Sequence, residues 1–246
     1  MSIILYDIPS QVAVNAWSPN IWKTRYALNY KGLAYKTEWV EFNDIEAHAK
    51  KHGIAPTSTN PDFYSLPAIY DAPNKTYVAG AIEIAEYLDE KYPNTPRLFP
   101  HNTLGLQTAF TDVFLTKLGN LWQFIVPAVN KSLNPPSAAY FRRTREALFG
   151  VTLEELLPKG DKAVTEWAKV QAGFNEAAVL FAKNGGKGPF AMGETISYAD
   201  VNAGAYLIWL RTIWGENSQQ WKDISSWSGG RWGALLKGLA KYETIV

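Results

Sequence analysis

The stretch WSPNIWKTRYAL, residues 17–28, sets a Ser-Pro pair directly before a run of helical character. Proline at the first helical position loses nothing by lacking an N–H, and serine is a preferred residue just before it, so a helix opens at Ser18. On its N-terminal side IILYDI (3–8) is a short apolar run with a β-branched start, and on its C-terminal side TEWVEF (37–42) alternates as a half-buried strand does. Strand, helix and strand in this order make a βαβ unit, which requires a parallel pair and a right-handed crossover.

Working outward, LPAIY (66–70) and TYVA (76–79) flank DAPNK, whose Asp, Pro and Asn are turn formers, so the spacing predicts an antiparallel hairpin. AIEIAEYLDEKY (81–92) then places Ile82, Ala85 and Leu88 on one helical face and acids on the other. PNTPRLFP (93–100) carries three prolines in eight positions and suits an extended linker. Beyond it Leu106, Phe110, Val113, Leu121 and Phe124 recur at helical spacing over 103–130, and 139–149, 161–183 and 198–214 repeat the amphipathic style. GKGPFAMGE (186–194) reads as a loop. The expected class is α+β: a small α/β domain over 1–92, a linker over 93–100 and an all-helical domain over 101–246.

Composition limits the chemistry. A chain of 246 residues, 47% of them hydrophobic, is long enough to bury its own core. A net charge of +1, from 24 basic and 23 acidic residues without a long single-sign run, leaves no electrostatic footprint for nucleic acid or an anionic membrane. No cysteine is present, which removes disulfides, thiolate metal sites and Cys nucleophiles together. No metal centre is expected, and any thiol chemistry must use a thiol brought by a ligand. MSIILYDIPS has no basic stretch followed by a long apolar segment, and no window approaches the roughly 18 apolar residues of a membrane span, so a soluble, cytoplasmic protein is expected. The 10 tryptophans and 13 tyrosines suit a pocket for flat apolar ligands as well as a core.

With a Ser-Pro helix start, an X-Pro strand entrance at Leu66-Pro67, a proline-rich linker and a helical second half, the chain resembles a cytosolic glutathione transferase over nearly its whole length. Its pattern is similar to that of bacterial β-etherases and fungal etherase-like transferases, SP-x-x-W-[RK]-T-[KR]-YAL, matched from Ser18 to Leu28. IAEYLDEKYP (84–93) with Leu98-Phe99-Pro100 is similar to the same group, and Ser197-Tyr198-Ala199-Asp200 resembles the capping box that opens its central C-terminal helix. The resemblance implies a thioredoxin-like, glutathione-binding N-terminal domain, glutathione as cosubstrate and a homodimer.

Residue by residue, Ser18 reads on its own as a helix cap; the resemblance adds a hydrogen bond from its hydroxyl to the sulfur of glutathione, and one position can do both. In the family the bond at Leu66-Pro67 is cis and the Leu66 peptide pairs with the cysteinyl backbone of glutathione. Where the family has an acidic residue and Ser to hold the γ-glutamyl end, this chain has Gly80 and Ala81, so only the N–H groups of Ala81 and Ile82 remain for the carboxylate. Glu83, one turn into the helix, reads first as a solvent-facing glutamate and only second as a partner for the amine. Lys51 and His52, with Lys50, stand where a cation for the glycine carboxylate is expected, and a basic last helical turn also compensates the helix dipole. Loop 9–17 with Trp17, Trp22, Phe114, Leu118 and Trp122 is expected to form an apolar second-substrate pocket. The implied activity is a serine-type transferase that conjugates glutathione to hydrophobic aromatic electrophiles, or cleaves them with it. The alternative is a non-catalytic or weakly catalytic ligand-binding protein for aromatic small molecules on the same fold. A cysteine-dependent thiol reductase fails for want of a cysteine.

Overall fold

The structure, a computed structural model, describes residues 2–246. Strand β1 (Ile3–Asp7), helix α1 (Pro19–Lys31) and strand β2 (Tyr35–Trp39) form the βαβ unit, with β1 and β2 parallel and Ile3 opposite Tyr35. Helix α2 (Ile45–His52) and a minimal hairpin, β3 (Ser58–Thr59) with β4 (Asp62–Phe63), follow. Strands β5 (Ala68–Asp71) and β6 (Thr76–Ala79) complete a mixed sheet of order β2-β1-β5-β6, and helix α3 (Ala81–Lys91) closes this part. Strand alternation turns Leu5, Asp7 and Ile69 towards α1 and α3. The opposite face carries Tyr6, Tyr70 and Tyr77, and Tyr6 meets His48 of α2 edge-on at 4.6 Å. This is the thioredoxin-like arrangement.

The second strand runs 35–39 rather than 37–42. After the Val40 N–H donates to Asp7 O (2.8 Å), the chain leaves the ladder, because the Glu41 carboxylate is drawn to the Ser137 hydroxyl and the Asn134 amide. Both donors begin a helix of the second half.

That half is helical throughout: α4 (Leu104–Lys117), α5 (Trp122–Ser132), α6 (Pro135–Phe149), α7 (Leu153–Leu156), α8 (Gly160–Phe181), α9 (Tyr198–Trp214) and α10 (Gln219–Leu239). The single periodic stretch 103–130 is two helices, divided by a tight turn at Gly119–Leu121. Helix α10 has no counterpart in the sequence reading, since SSWSGG interrupts its pattern and the backbone leaves helical geometry at Trp227–Gly230. Every residue of α9 from Tyr198 to Leu210 is buried, as a central helix requires. Its start is fixed by Asp200, whose carboxylate accepts from the Ser197 N–H and hydroxyl, both at 2.8 Å. Gly204 lets α1 and α10 close on α9: a Cβ there would collide with Leu239 and touch Tyr26.

Helix α1 carries two buried cations with opposite surroundings. Arg25 Nη2 meets Asp7 at 2.7 Å, and Nη1 donates to the Tyr35 hydroxyl (3.2 Å) and Thr37 Oγ1 (3.1 Å), which locks α1 onto β1 and β2. Lys23 has no carboxylate within salt-bridge reach among the described residues; its ammonium donates to Asn20 Oδ1 (3.0 Å) and lies 5.1 Å from the Tyr206 ring. Burial pushes it down to about 8, with Asp112 opposing weakly.

Burial raises the Asp7 carboxyl to about 6 even with Arg25 opposing, so Arg25→Met leaves a buried carboxyl with neither its cation nor that hydrogen bond and is expected to cost about 3–5 kcal/mol in urea unfolding, against less than about 1 kcal/mol were the pair ornamental. Lys23→Met is expected to act the other way. The folded Lys23 pKa lies below its unfolded value near 10.5, so the penalty for charging it in place is complete below pH 8 and fades towards 10.5. The variant should therefore gain stability at pH 7, by up to about 3 kcal/mol, and the gap to the parent should close on raising the pH through that window. A gap that does not change with pH would contradict this.

Candidate functional site

Ser18 sits at the junction of loop and helix with φ −65° and ψ 124°, and its carbonyl accepts the first helical bond, from the Trp22 N–H at 2.9 Å. Its hydroxyl caps nothing: it makes no hydrogen bond among the described residues, although the residue is only 6% exposed. No acid stands in the first turn of α1, so the positive end of the helix is uncompensated. The preceding loop is held in place by the Gln11 N–H on Ser132 O (2.8 Å) and by the indole of Trp22 on Ala16 O (3.3 Å).

Ser18 opens onto a cavity of about 800 Å3 between the two halves. The first half lends it Ile8, Trp17, Asn20, Phe42 and Leu66, and the helical half lends Trp122, Tyr140, Phe141, Tyr206 and Trp209. Burial raises the Tyr206 phenol above its usual range, and its hydroxyl makes no hydrogen bond within the described residues.

The Leu66-Pro67 peptide is cis. Among the described residues neither the N–H nor the C=O of Leu66 has a hydrogen-bond partner, while Pro67 O accepts from the Gly80 N–H at 3.0 Å. Ser18, Leu66 and the start of α3 are thus neighbours in turn, joined by the cavity at one end and by that hydrogen bond at the other. Gly80 adopts φ +95°, a conformation that favours glycine, and no side chain caps α3. The N–H groups of Ala81 and Ile82 therefore stand free at the helix start. Glu83 folds back over Gly80, its Oε2 lying where a Cβ at that position would be, and it pairs with no cation among the described residues.

The other residues singled out from the sequence divide between the cavity and the core or surface. Trp17 and Trp122 line the cavity, but Trp22, Phe114 and Leu118 do not. Trp22 packs inward on Tyr26 (ring centroids 5.2 Å), and the phase of α4 turns Phe114 into the bundle against Phe181 and Trp232, with Leu118 buried one turn later. His52 is engaged by the Tyr77 hydroxyl at 3.2 Å and stacks 4.5 Å from His48, and Lys51 is exposed; neither lines the cavity. Burial and the neighbouring His52 hold His48 below the usual histidine range. Lys50 is tied to Glu46 at 2.6 Å.

Apart from Trp122, sequence reasoning missed the wall supplied by the second half. Tyr140, Phe141 and Arg145 of α6 and Tyr206 and Trp209 of α9 face Phe42 and Trp17 across the cavity. Their signal was present as aromatic residues recurring on one helical face, yet nothing in the sequence pattern separates a cavity wall from a core.

The cavity's margin thus brings together a hydroxyl free at a positive helix end, an unpaired Leu66 peptide and a second free helix start. Two family descriptions match the chain: "Glutathione S-transferase, N-terminal domain" over residues 17–91 and "Glutathione S-transferase, C-terminal domain" over 105–242. The glutathione S-transferase CsGST63524 of Ceriporiopsis subvermispora, solved in complex with glutathione, is 39% identical, with 100% of this chain and 99% of that one covered and a TM-score of 0.95. Glutathione transferase GSTFuA3 from Phanerochaete chrysosporium is 40% identical over 100% and 99% of the two chains, with a TM-score of 0.93. The glutathione S-transferase-like protein ustS of Aspergillus flavus is 29% identical over 89% of this chain and 82% of its own length. The β-etherase LigF of Sphingobium, at 18% identity and a TM-score of 0.58 over 98% of each chain, shares the fold alone. The chain belongs to the glutathione S-transferase family.

Proposed function

We propose that this protein activates the thiol of glutathione at Ser18 and directs it at hydrophobic aromatic electrophiles held in the adjoining cavity. The observation that carries this reading is the Ser18 hydroxyl, unbonded among the described residues, at the uncompensated N-terminus of α1 and facing an aromatic-walled space. Lowering a thiol from pKa 8.5 to about 6.5 takes about 2.7 kcal/mol of preferential thiolate stabilisation. A hydrogen bond to a charged group contributes about 1.5–3 kcal/mol and a helix end about 0.3–1 kcal/mol, so the two together suffice.

In this scheme the Leu66 peptide pairs with the cysteinyl backbone and the N–H groups of Ala81 and Ile82 take the γ-glutamyl carboxylate. Glu83, folded over Gly80, offers the amine the carboxylate that Gly80 lacks. The φ of +95° accounts for glycine at position 80, and the missing side chain leaves the space that the Glu83 carboxylate takes. The sulfur then attacks an electrophilic carbon: a C–S bond forms, the bond to the leaving group breaks with its electron pair, and the thiol proton passes to solvent. With a phenoxy leaving group the identical step is ether cleavage, the etherase-like form of the reaction. A cytoplasmic, two-fold homodimer divided at residues 93–100 completes the reading; Leu106 and Val113, exposed seven residues apart on α4, favour a partner on that face, and sedimentation velocity tests it.

Ser18→Ala is expected to lower kcat/KM for a model aryl halide at least about tenfold and to raise the titration midpoint of bound thiolate absorbance, while glutathione affinity stays within a few-fold. Unchanged kinetics would reduce Ser18 to a helix start. Glu83→Gln is expected to raise KM for glutathione about tenfold at unchanged kcat, since it weakens a contact distant from the sulfur. If KM does not move, the amine is held elsewhere.

A further inference from the structure

Among the described residues the cavity wall contains one Lys or Arg, and no carboxylate pairs with it. That residue is Arg145, on α6. Its guanidinium lies 4.7 Å from the Phe141 ring and 5.8 Å from the Phe42 ring, which fixes the plane of its donor fork. One bond is made within the chain, from Nη1 to Thr144 Oγ1 at 3.2 Å. Arg25, Arg142 and Arg211 each meet a carboxylate, at 2.5 to 2.8 Å; Arg145 meets none among the described residues.

The acids nearby are otherwise disposed. Glu46 lines the cavity but is paired with Lys50 at 2.6 Å, Glu41 accepts from Asn134 and Ser137, and Asp62 stands exposed on the small hairpin. Burial lowers the Arg145 pKa from its usual value, the mark of a charge withdrawn from water without a compensating anion. The remaining N–H groups are not sealed off, since none of them is among the buried unbonded atoms. A half-buried, ring-stacked guanidinium with unspent donors is the arrangement that takes an oxyanion in a forked pair.

We infer that Arg145 anchors the acid group of the second substrate, so that the cavity selects aromatic compounds bearing a carboxylate or sulfonate over neutral ones of the same shape. The inference rests on reading this cavity as the second-substrate site. The acid group is a handle: it takes no part in bond making, and with its charge held on α6 the aromatic body lies among Tyr140, Phe141, Trp122 and Trp209, towards Ser18.

Two fluorescent probes separate charge from shape: anilinonaphthalene sulfonate and its uncharged counterpart phenylnaphthylamine, titrated against the parent protein, Arg145→Met and Arg145→Lys. Methionine keeps the apolar stem against the rings and removes the charge. The expected result is a loss of at least about tenfold in affinity for the sulfonate with Arg145→Met, a change of less than about twofold for the neutral probe, and partial recovery of the sulfonate with Arg145→Lys. Equal losses for both probes would make Arg145 a packing residue, and an unchanged sulfonate affinity would remove it from binding; either overturns the inference. If Arg145→Met does not fold, the ratio of the two affinities in Arg145→Lys decides, because a lysine without the fork should lower it. Calorimetry with glutathione runs in parallel. Its failure with the parent protein would defeat the transferase reading and leave the comparison of probes standing.

Discussion

Helix α1 has no solvent side to spare. One face lies on the sheet and the other on α9, and the sequence meets this with polar residues rather than an apolar stripe: Arg25, Lys23 and Lys31 are all buried. The sheet face is settled by the Arg25–Asp7 pair, which removes a charge from each partner's surroundings only while both are present. The α9 face is settled by shape, through Gly204 beneath Tyr26 and Leu239. Because both contacts act on one rigid helix, they fix where its first residue points. Ser18 is therefore positioned by interactions a turn or more away, and its hydroxyl is left free of structural duty.

The same logic extends to the join between the halves. Lys31 meets Asp89 at 2.7 Å, and the Asp89 carboxylate also accepts from the N–H groups of Leu98 and Phe99 at 2.9–3.0 Å. A residue near the end of α3 thus holds both the last turn of α1 and the start of the chain's passage into the helical half. Glu41 does the equivalent at the opposite side by accepting from Asn134 and Ser137. The cavity lies between these two ties, so its walls are set by a few polar contacts at its margins and by aromatic packing within.

These facts explain what the sequence disclosed. Period and turn chemistry are local, and the βαβ unit, the hairpin around DAPNK and helix α3 were all legible from residues within a few positions of one another. Helix α10 was not, because Ser228, Gly229 and Gly230 adopt positive φ inside it and erase its periodicity. At the site the split is similar. Ser18 and Leu66-Pro67 announce themselves through proline, whereas Phe114 and Tyr140 are both aromatic residues on amphipathic helices and only tertiary phase sends one to the core and the other to the cavity. Glu83 is a related case: a glutamate one turn into a helix is ordinarily solvated, and only the absence of a side chain at Gly80 lets it fold back.

The two sides of the cavity are built under different constraints. On the side of Ser18 and α3 the groups that face a peptide are backbone N–H groups and a hydroxyl at helix starts, and their direction is set by helix geometry itself, so little can change there without moving a helix. The facing wall consists of side chains on α6 and α9 whose backbones are already satisfied. Tyr140 and Arg145 can be exchanged without touching a helix start or the sheet. Position on the first wall is dictated by the backbone, whereas on the second wall the proposed choice of aromatic partner would rest on exchangeable side chains, among them Arg145, the one Lys or Arg among the described residues that line the cavity.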